Sequence, residues 1–124
     1  MKKELEQKLI EKYPNLYKNH GGDPRQTCMA WGIAVGDGWY DIIDKLSEKL
    51  ESYGIVAEQV KEKFGGLRFY IGGCSKEIFD EVYGHIREAE KLASQTCEVC
   101  GKPGKSRGGG WIKTLCDECD KKDK

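Results

Sequence analysis

The chain has 124 residues, of which 38% are hydrophobic, and its 21 lysines and arginines balance 21 aspartates and glutamates. This length suits one small domain. A general DNA-binding protein carries a clear basic excess, so the balanced charge argues against one and requires any anion recognition to be local. No apolar run is long enough to span a membrane, and the charged start of the chain lacks the apolar stretch of a signal peptide, which predicts a cytoplasmic protein.

The first third of the chain reads as helix, loop and strand. Apolar residues at four-residue spacing predict a helix over residues 2–13. Residues 14–27 are rich in turn-forming residues and predict a loop. A short strand is predicted next from four alternating apolar residues, Met29, Trp31, Ile33 and Val35.

The motif Gly36-Asp37-Gly38-Trp39 precedes a second predicted helix over residues 39–53, which Gly54 ends. Glycines at a helix start let an anion approach the free N–H groups, where the helix dipole favours negative charge. The motif is therefore a candidate ligand site. The alternative is that Asp37 or Gly38 only caps the helix and that Trp39 packs into the core.

The segment 56–71 predicts a β-hairpin, because Gly65-Gly66 separates two alternating runs and suits a two-residue turn. In that register Phe64 faces Leu67 and Lys63 faces Arg68. One face is apolar apart from Glu62, and its members are Val60, Phe64, Leu67, Phe69 and Ile71. The other face gathers Lys61, Lys63, Arg68 and Tyr70.

Neighbouring cations on one sheet face repel one another unless an anion lies close. The cluster of Lys61, Lys63 and Arg68 beside Tyr70 is therefore a second candidate ligand site in a chain whose overall charge cancels. The alternative is a solvated sheet face that is polar in order to discourage edge pairing.

A third helix is predicted over residues 76–94, with Ser75 as its N-cap. Two C-x2-C pairs follow, Cys97/Cys100 and Cys116/Cys119, with fifteen residues between them. This spacing is typical of a structural zinc site with four thiolate ligands. Disulfides or a redox-active pair are the weaker alternatives, because two evenly matched pairs suit one metal better.

The segment between the two cysteine pairs is a glycine-rich basic loop. It contains three consecutive glycines followed by Trp111, with Arg107 and Lys113 on either side. Such a loop suits phosphate binding combined with stacking on a base, whether in a nucleic acid or in a free nucleotide. Alternatively, Trp111 only shields the small core of the zinc module.

No catalytic constellation is visible in the sequence. The two histidines, His20 and His85, belong to no metal-ligand or general-base motif. Cys28 and Cys74 remain after the four metal ligands are assigned, and unpaired thiols suit a reducing cytoplasm. We therefore predict that the protein is not an enzyme.

Four sequence blocks carry a family resemblance: GDGWY at 36–40, QVKEKFGGLRFY at 59–70, CEVCG at 97–101 and WIKTLCD at 111–117. Over residues 28–119 the chain resembles a family of small zinc-module proteins of phages, prophages and bacteria. The resemblance brings no catalytic residue with it. It implies an accessory protein acting in the host cytoplasm against host defence, by binding a nucleotide immune signal, nucleic acid or a host protein.

The prediction is an α+β fold in which two or three helices pack an antiparallel, hairpin-centred sheet. The core is expected over residues 1–96, the four-cysteine zinc module over 97–119 and a disordered tail over 120–124. The predicted function is non-catalytic binding of a small phosphorylated ligand, in the first place a nucleotide or cyclic nucleotide signal. The alternatives are a zinc-ribbon nucleic-acid-binding protein and a protein-interaction module that inhibits a host enzyme.

Overall fold

The computed structural model describes residues 1–108 and 110–123, and this part of the chain forms four α-helices and five short strands. The helices are α1 (Lys3–Lys12), α2 (Tyr40–Leu50), α3 (Phe79–Ala93) and α4 (Asp117–Asp123). The strands are β1 (Ile33–Ala34), β2 (Val56–Lys63), β3 (Gly66–Gly72), β4 (Lys105–Arg107) and β5 (Lys113–Leu115). This confirms the predicted α+β class.

The main sheet has the order β1-β2-β3, in which β2 and β3 form the antiparallel hairpin. The short strand β1 runs parallel to β2, with Ile33 beside Val60. Helix α3 packs against β3, α2 packs against α3, and α1 packs against α2. The core between them is built from apolar side chains that include Leu9, Leu16, Met29, Trp39, Ile43, Leu46, Leu50, Val60, Leu67, Phe69, Val82 and Ile86.

The hairpin forms as predicted, but its turn lies one residue earlier than predicted. Phe64 and Gly65 are the two turn residues, with φ angles of 54° and 79°. Two positive φ angles define a type I′ turn, whose twist matches that of the flanking strands. Lys63 therefore pairs with Gly66 and Lys61 with Arg68. Phe64 leaves the predicted apolar face and is 70% exposed, while Leu67 and Phe69 are buried as predicted.

The strand predicted from Met29 to Val35 is wrong over its first half. Residues Cys28–Trp31 form a short 3-10 helix, in which the Thr27 hydroxyl accepts the N–H of Met29 at 3.1 Å. Met29 is buried, whereas Trp31 is 72% exposed. The alternating pattern is therefore produced by a helical turn followed by only two strand residues.

Several segment boundaries also differ from the predictions. The region 14–27 forms turns, yet Leu16 and Tyr17 are buried in the core. Helix α3 begins at Phe79 rather than at 76, because a turn closed by the Ile78 N–H and the Ser75 carbonyl precedes it. Helix α4 continues to Asp123, where a disordered tail was predicted, and Lys124 lies outside the described residues.

The first two helices lie within their predicted ranges, and Gly54 ends the second region in the left-handed conformation, with a φ of 75°. Among the described residues, none of the helices has the length and apolar character needed to cross a membrane.

Candidate metal centre and the surface beside it

The four cysteines of the two C-x2-C pairs converge. The ligand atoms of Cys97, Cys100, Cys116 and Cys119 all lie within 4.8 Å of one another. The first pair follows α3, and the second pair spans the junction of β5 and α4. Antiparallel pairing of β4 with β5 turns the chain back on itself and brings the second pair to the first. The group can hold one metal ion.

Backbone N–H groups donate hydrogen bonds to the sulfur atoms of this centre and so stabilise negatively charged thiolates. Burial on its own raises the pKa of the Cys97 thiol, but hydrogen bonds from the backbone N–H groups of Cys116, Cys100 and Val99 outweigh burial and lower that pKa to about 6. The Cys119 N–H lies 3.4 Å from the Cys116 sulfur. Donors of this kind orient and stabilise metal-bound thiolates.

The Cys119 thiol resists ionisation at this site. The hydrogen bond with the Cys116 sulfur, followed by burial, raises the pKa of Cys119 to about 12. A bound cation removes this penalty, because it neutralises the thiolates that otherwise repel one another. The donor set therefore fits a thiophilic divalent metal.

The Gly36–Trp39 motif packs against the segment that carries the first cysteine pair, Cys97 and Cys100. The Gly36 N–H donates to a Glu98 carboxylate oxygen at 3.0 Å, and the Gly38 N–H donates to the Glu98 carbonyl at 2.7 Å. The Trp39 side chain is fully buried, and its indole N–H donates to the Thr96 carbonyl at 2.9 Å.

These contacts argue against the predicted ligand role of the motif. The N–H groups of Gly36 and Gly38 are engaged by Glu98, and a buried Trp39 cannot stack on a ligand. Asp37 is also engaged, because its carboxylate accepts the backbone N–H of Lys2 at 2.7 Å. The motif packs two parts of the chain together. Of the alternative considered above, the inward packing of Trp39 is confirmed, but the N-cap of α2 is Trp39 itself rather than Asp37 or Gly38.

The hairpin turn is joined to the segment that carries the four cysteines. The Thr114 hydroxyl, on β5, donates to the Gly65 carbonyl at 2.6 Å, and Thr114 is 2% exposed. The Thr114 carbonyl in turn accepts the Glu98 N–H at 3.0 Å. The three sequence blocks around Gly38, Gly65 and the cysteines thus form one interlocked unit.

Arg107 is also structural, contrary to its predicted ligand role. Its guanidinium donates to the Leu115 carbonyl at 3.1 Å and to the Asp117 carboxylate at 2.7 Å, and it lies 3.6 Å from Asp120. The hydrogen bond from Arg107 lowers the pKa of Asp117. The cation therefore clamps the start of α4 to the β4–β5 hairpin.

The predicted basic face of the hairpin is present. Lys63, Arg68 and Tyr70 are exposed, Lys61 is half-buried, and Lys61 lies directly beside Arg68 across the two strands. Among the described residues, neither lysine nor Arg68 forms an ion pair with an acidic side chain. Arg68 acts at longer range on Glu90 of α3, where burial raises the pKa of the carboxyl and Arg68 lowers it.

An aromatic cavity, which the sequence analysis did not predict, lies at the end of the basic face of the hairpin. Phe64 and Trp111 are 70% and 74% exposed, and both line one open cavity of about 440 Å³. The remaining lining residues are Glu62, Lys63, Gly110 and Ile112. Lys63 extends over the Phe64 ring, with 5.6 Å between its ammonium nitrogen and the ring centroid.

Lys113 is half-buried on β5 and lines a neighbouring cavity with Val99.

We call the aromatic cavity the tip cavity. Of the predicted ligand residues, the structure brings Lys63 and Trp111 together there, with Lys61, Arg68 and Tyr70 along the adjoining face. The Phe-Gly pair in the turn was the available signal, because a primed turn at 64–65 exposes the phenylalanine ring.

The remaining candidates do not join this site. His20 pairs with Glu6, with 2.9 Å between the imidazole nitrogen and the carboxylate. His85 lies beside the Tyr53 ring and lines a separate groove of about 500 Å³ between α2 and α3. Cys28 is exposed and Cys74 half-buried, and both thiols are free.

In comparisons with known proteins, no protein-family model, no curated protein and no solved structure matches the chain.

Proposed function

We propose that the four-cysteine centre binds one zinc ion in a structural role. Four thiolates complete a tetrahedral shell and leave no position open for a substrate. Residues Cys97, Cys100, Cys116 and Cys119 would hold the ion. Elemental analysis of protein purified without chelators is expected to find one zinc per chain, and replacing any one cysteine by serine is expected to abolish that stoichiometry.

We propose further that the protein binds single-stranded nucleic acid without catalysis, using the tip cavity and the basic hairpin face. The observation that carries this proposal is the placement of Phe64. A bulky non-glycine residue with positive φ is strained by about 1 kcal/mol or more, and Phe64 is also 70% exposed. A residue kept in this conformation with its ring in water suits binding better than folding.

The chemistry around Phe64 matches a nucleotide chain. Exposed aromatic rings stack on bases, and each stacked base contributes about 1–3 kcal/mol. Phe64 and Trp111 supply rings beside Lys63, and Lys61 and Arg68 supply cations along the adjoining face. Phosphates would relieve the repulsion between these like charges.

The extent of the surface favours an oligonucleotide over the small ligand predicted from the sequence. Tyr70 pairs with Gln59, four pairs away from Lys63 and Gly66 at the end of the hairpin. At about 3.3 Å per residue, this separation is roughly 13 Å. A single nucleotide cannot contact both Tyr70 and the tip cavity, and the open shape of the cavity does not enclose a small ligand.

Fluorescence anisotropy with a labelled single strand of about ten nucleotides tests this proposal, since such a length covers a typical single-strand site. Contacts with three cations predict that log K falls with log salt with a slope of about −2. Arg68→Ala is expected to reduce this slope by about 0.7 without changing the thermal midpoint. Lys8→Ala, on the exposed surface of α1, is the matched control and is expected to leave both quantities unchanged.

Two results would contradict the proposal. One is the absence of oligonucleotide binding at low salt. The other is a rise in thermal midpoint with a mononucleotide or cyclic nucleotide but not with the oligonucleotide, which would favour the small-ligand prediction instead.

A further inference from the structure

Glu62 lies in the tip cavity, where the sequence gives no reason for an acid. It interrupts the apolar face of the hairpin, is half-buried and lines the cavity together with Phe64 and Trp111. Its neighbour Lys61 points to the opposite face of the sheet, because side chains alternate along a strand. Lys63, at the end of β2, lines the same cavity as Glu62. A carboxylate in this position opposes phosphate binding, so its presence calls for another explanation.

The Glu62 carboxylate is held in place by the turn. One carboxylate oxygen accepts the Gly65 N–H at 2.7 Å, and Gly65 follows Phe64 directly. Among the described residues other than Lys113, no lysine, arginine or histidine forms an ion pair with Glu62. A neutral glutamine could accept the same N–H. The charge and the second oxygen are therefore not required by the turn.

We infer that Glu62 selects guanine among the bases that enter the tip cavity, and this inference rests on the proposed binding of single-stranded nucleic acid. A carboxylate only accepts hydrogen bonds. Guanine presents two adjacent donors on its Watson–Crick edge, the N1–H and the N2 amino group, which match the two oxygens of one carboxylate. The oxygen that accepts the Gly65 N–H can accept one of these donors as well, because each carboxylate oxygen has two lone pairs.

The other bases fit this carboxylate less well. Thymine and uracil place a single N–H between two carbonyl oxygens, which a carboxylate repels. Adenine and cytosine offer one amino group next to a ring nitrogen that is itself an acceptor. The expected order of affinity is therefore guanine first, adenine and cytosine next, and thymine or uracil last.

The test uses four labelled oligothymidines of about ten nucleotides that differ only in one central base. For the wild-type protein, the strand with central guanine is expected to bind about 5- to 100-fold more tightly than the strand with central thymine, as for other two-donor base contacts. Hypoxanthine in place of guanine lacks the N2 amino group and is expected to lose most of this preference. This second probe does not depend on any variant.

Glu62→Gln keeps an acceptor for the Gly65 N–H and is expected to keep the wild-type thermal midpoint. It is expected to bind the guanine and thymine strands within about twofold of each other. It is also expected to bind the all-thymine strand at least as tightly as the wild type, because a negative charge near the phosphates is gone.

The outcomes separate the two proposals. Equal binding of all four strands by the wild type would overturn the role of Glu62 while leaving nucleic-acid binding intact. A guanine preference that survives in Glu62→Gln would also overturn it, since another group would then read the base. Failure to bind any strand would overturn the proposed function and this inference together.

Discussion

Gly38 lies so close to the knuckle formed by residues 97–101 that no side chain fits there. A Cβ atom at this position would overlap the Cys97 carbonyl oxygen and the Gly101 nitrogen, both of which are backbone atoms that cannot rotate away. Gly84, in the middle of α3, is the opposite case, because nothing lies within 4 Å of the position of its Cβ. The same substitution therefore has opposite consequences at the two glycines.

Gly38→Ala is expected to lower the free energy of unfolding by about 1–3 kcal/mol, because the backbone of the knuckle must move away from the new methyl group. Gly84→Ala, its matched control, is expected to raise that free energy by about 0.5–1 kcal/mol, since alanine favours a helix interior. Urea denaturation of the metal-loaded proteins measures both changes. A Gly38→Ala protein as stable as the wild type would contradict the close packing of the knuckle on this motif.

Thr114 offers a second test at the same scale. Thr114→Val keeps the shape of the side chain but leaves the buried Gly65 carbonyl without its hydroxyl donor, which is expected to cost about 1–3 kcal/mol. Thr96→Val removes an exposed hydroxyl that donates to the Leu92 carbonyl and is expected to cost less than about 1 kcal/mol. Equal losses in thermal or urea denaturation would show that the Thr114–Gly65 contact does not join the hairpin to the module.

At the scale of the element, Phe64 in the hairpin turn is expected to lower the stability of the protein and to strengthen its binding of oligonucleotide. A type I′ turn prefers asparagine before glycine, because asparagine tolerates positive φ better than phenylalanine does. Phe64→Asn is therefore expected to stabilise the protein by about 0.5–1 kcal/mol. It is expected to weaken oligonucleotide binding about five- to 100-fold, since one stacking ring is lost.

The opposite signs of these two effects separate a functional residue from a structural one. Phe69→Ala removes a buried ring from the same hairpin and is expected to cost about 3–5 kcal/mol. Denaturation curves and anisotropy titrations on the three proteins give both quantities. A Phe64→Asn protein that is less stable than the wild type, or that binds as tightly, would contradict the assigned role of Phe64.

The hairpin also shows how far sequence can predict this fold. Its existence and the two faces of its strands follow from alternation, which places Leu67 and Phe69 inside and Arg68 outside. The turn position does not follow, because moving the turn by one residue shifts both strands and leaves the alternation unchanged. The choice between 64–65 and 65–66 depends on a distant contact, the hydrogen bond between the Thr114 hydroxyl and the Gly65 carbonyl.

The site was predictable to a similar extent. Spacing alone predicted that the four cysteines come together, because two C-x2-C pairs are typical of a site in which four thiolates hold one metal. The sequence could not decide the roles of Gly38 and Arg107, since a glycine-rich helix start and a basic loop suit the binding of an anion as well as they suit internal packing. Only the hydrogen bonds that Gly38 forms with Glu98, in a distant part of the chain, and that Arg107 forms with Asp117 settle what these residues contact.

At the scale of the whole molecule, the segment that carries the four cysteines supports both the core and the proposed binding surface. Trp39 is the largest fully buried side chain, and its indole N–H reaches the carbonyl just before Cys97. Trp111, which lines the tip cavity, lies in the loop that the two cysteine pairs close. Metal binding to such a site contributes on the order of 10 kcal/mol to folding, so removal of the metal is expected to affect both regions.

Tryptophan fluorescence can follow this coupling. The chain has three tryptophans, and Trp31 and Trp111 are already 72% and 74% exposed. A Trp31→Phe/Trp111→Phe protein therefore reports on Trp39 alone. Chelation is expected to shift its emission to longer wavelength, because the Thr96 carbonyl leaves the indole N–H and water enters, and re-addition of zinc is expected to reverse the shift.

The same chelation applied to the protein with all three tryptophans is expected to weaken oligonucleotide binding about tenfold or more, because the loop that carries Trp111 loses its closure. Magnesium in place of zinc is the control and is expected to restore neither signal, since magnesium prefers oxygen ligands to thiolates. An unchanged Trp39 emission after the metal has been removed would show that the core holds its shape without the module. Unchanged oligonucleotide binding in that state would remove Trp111 from the binding surface.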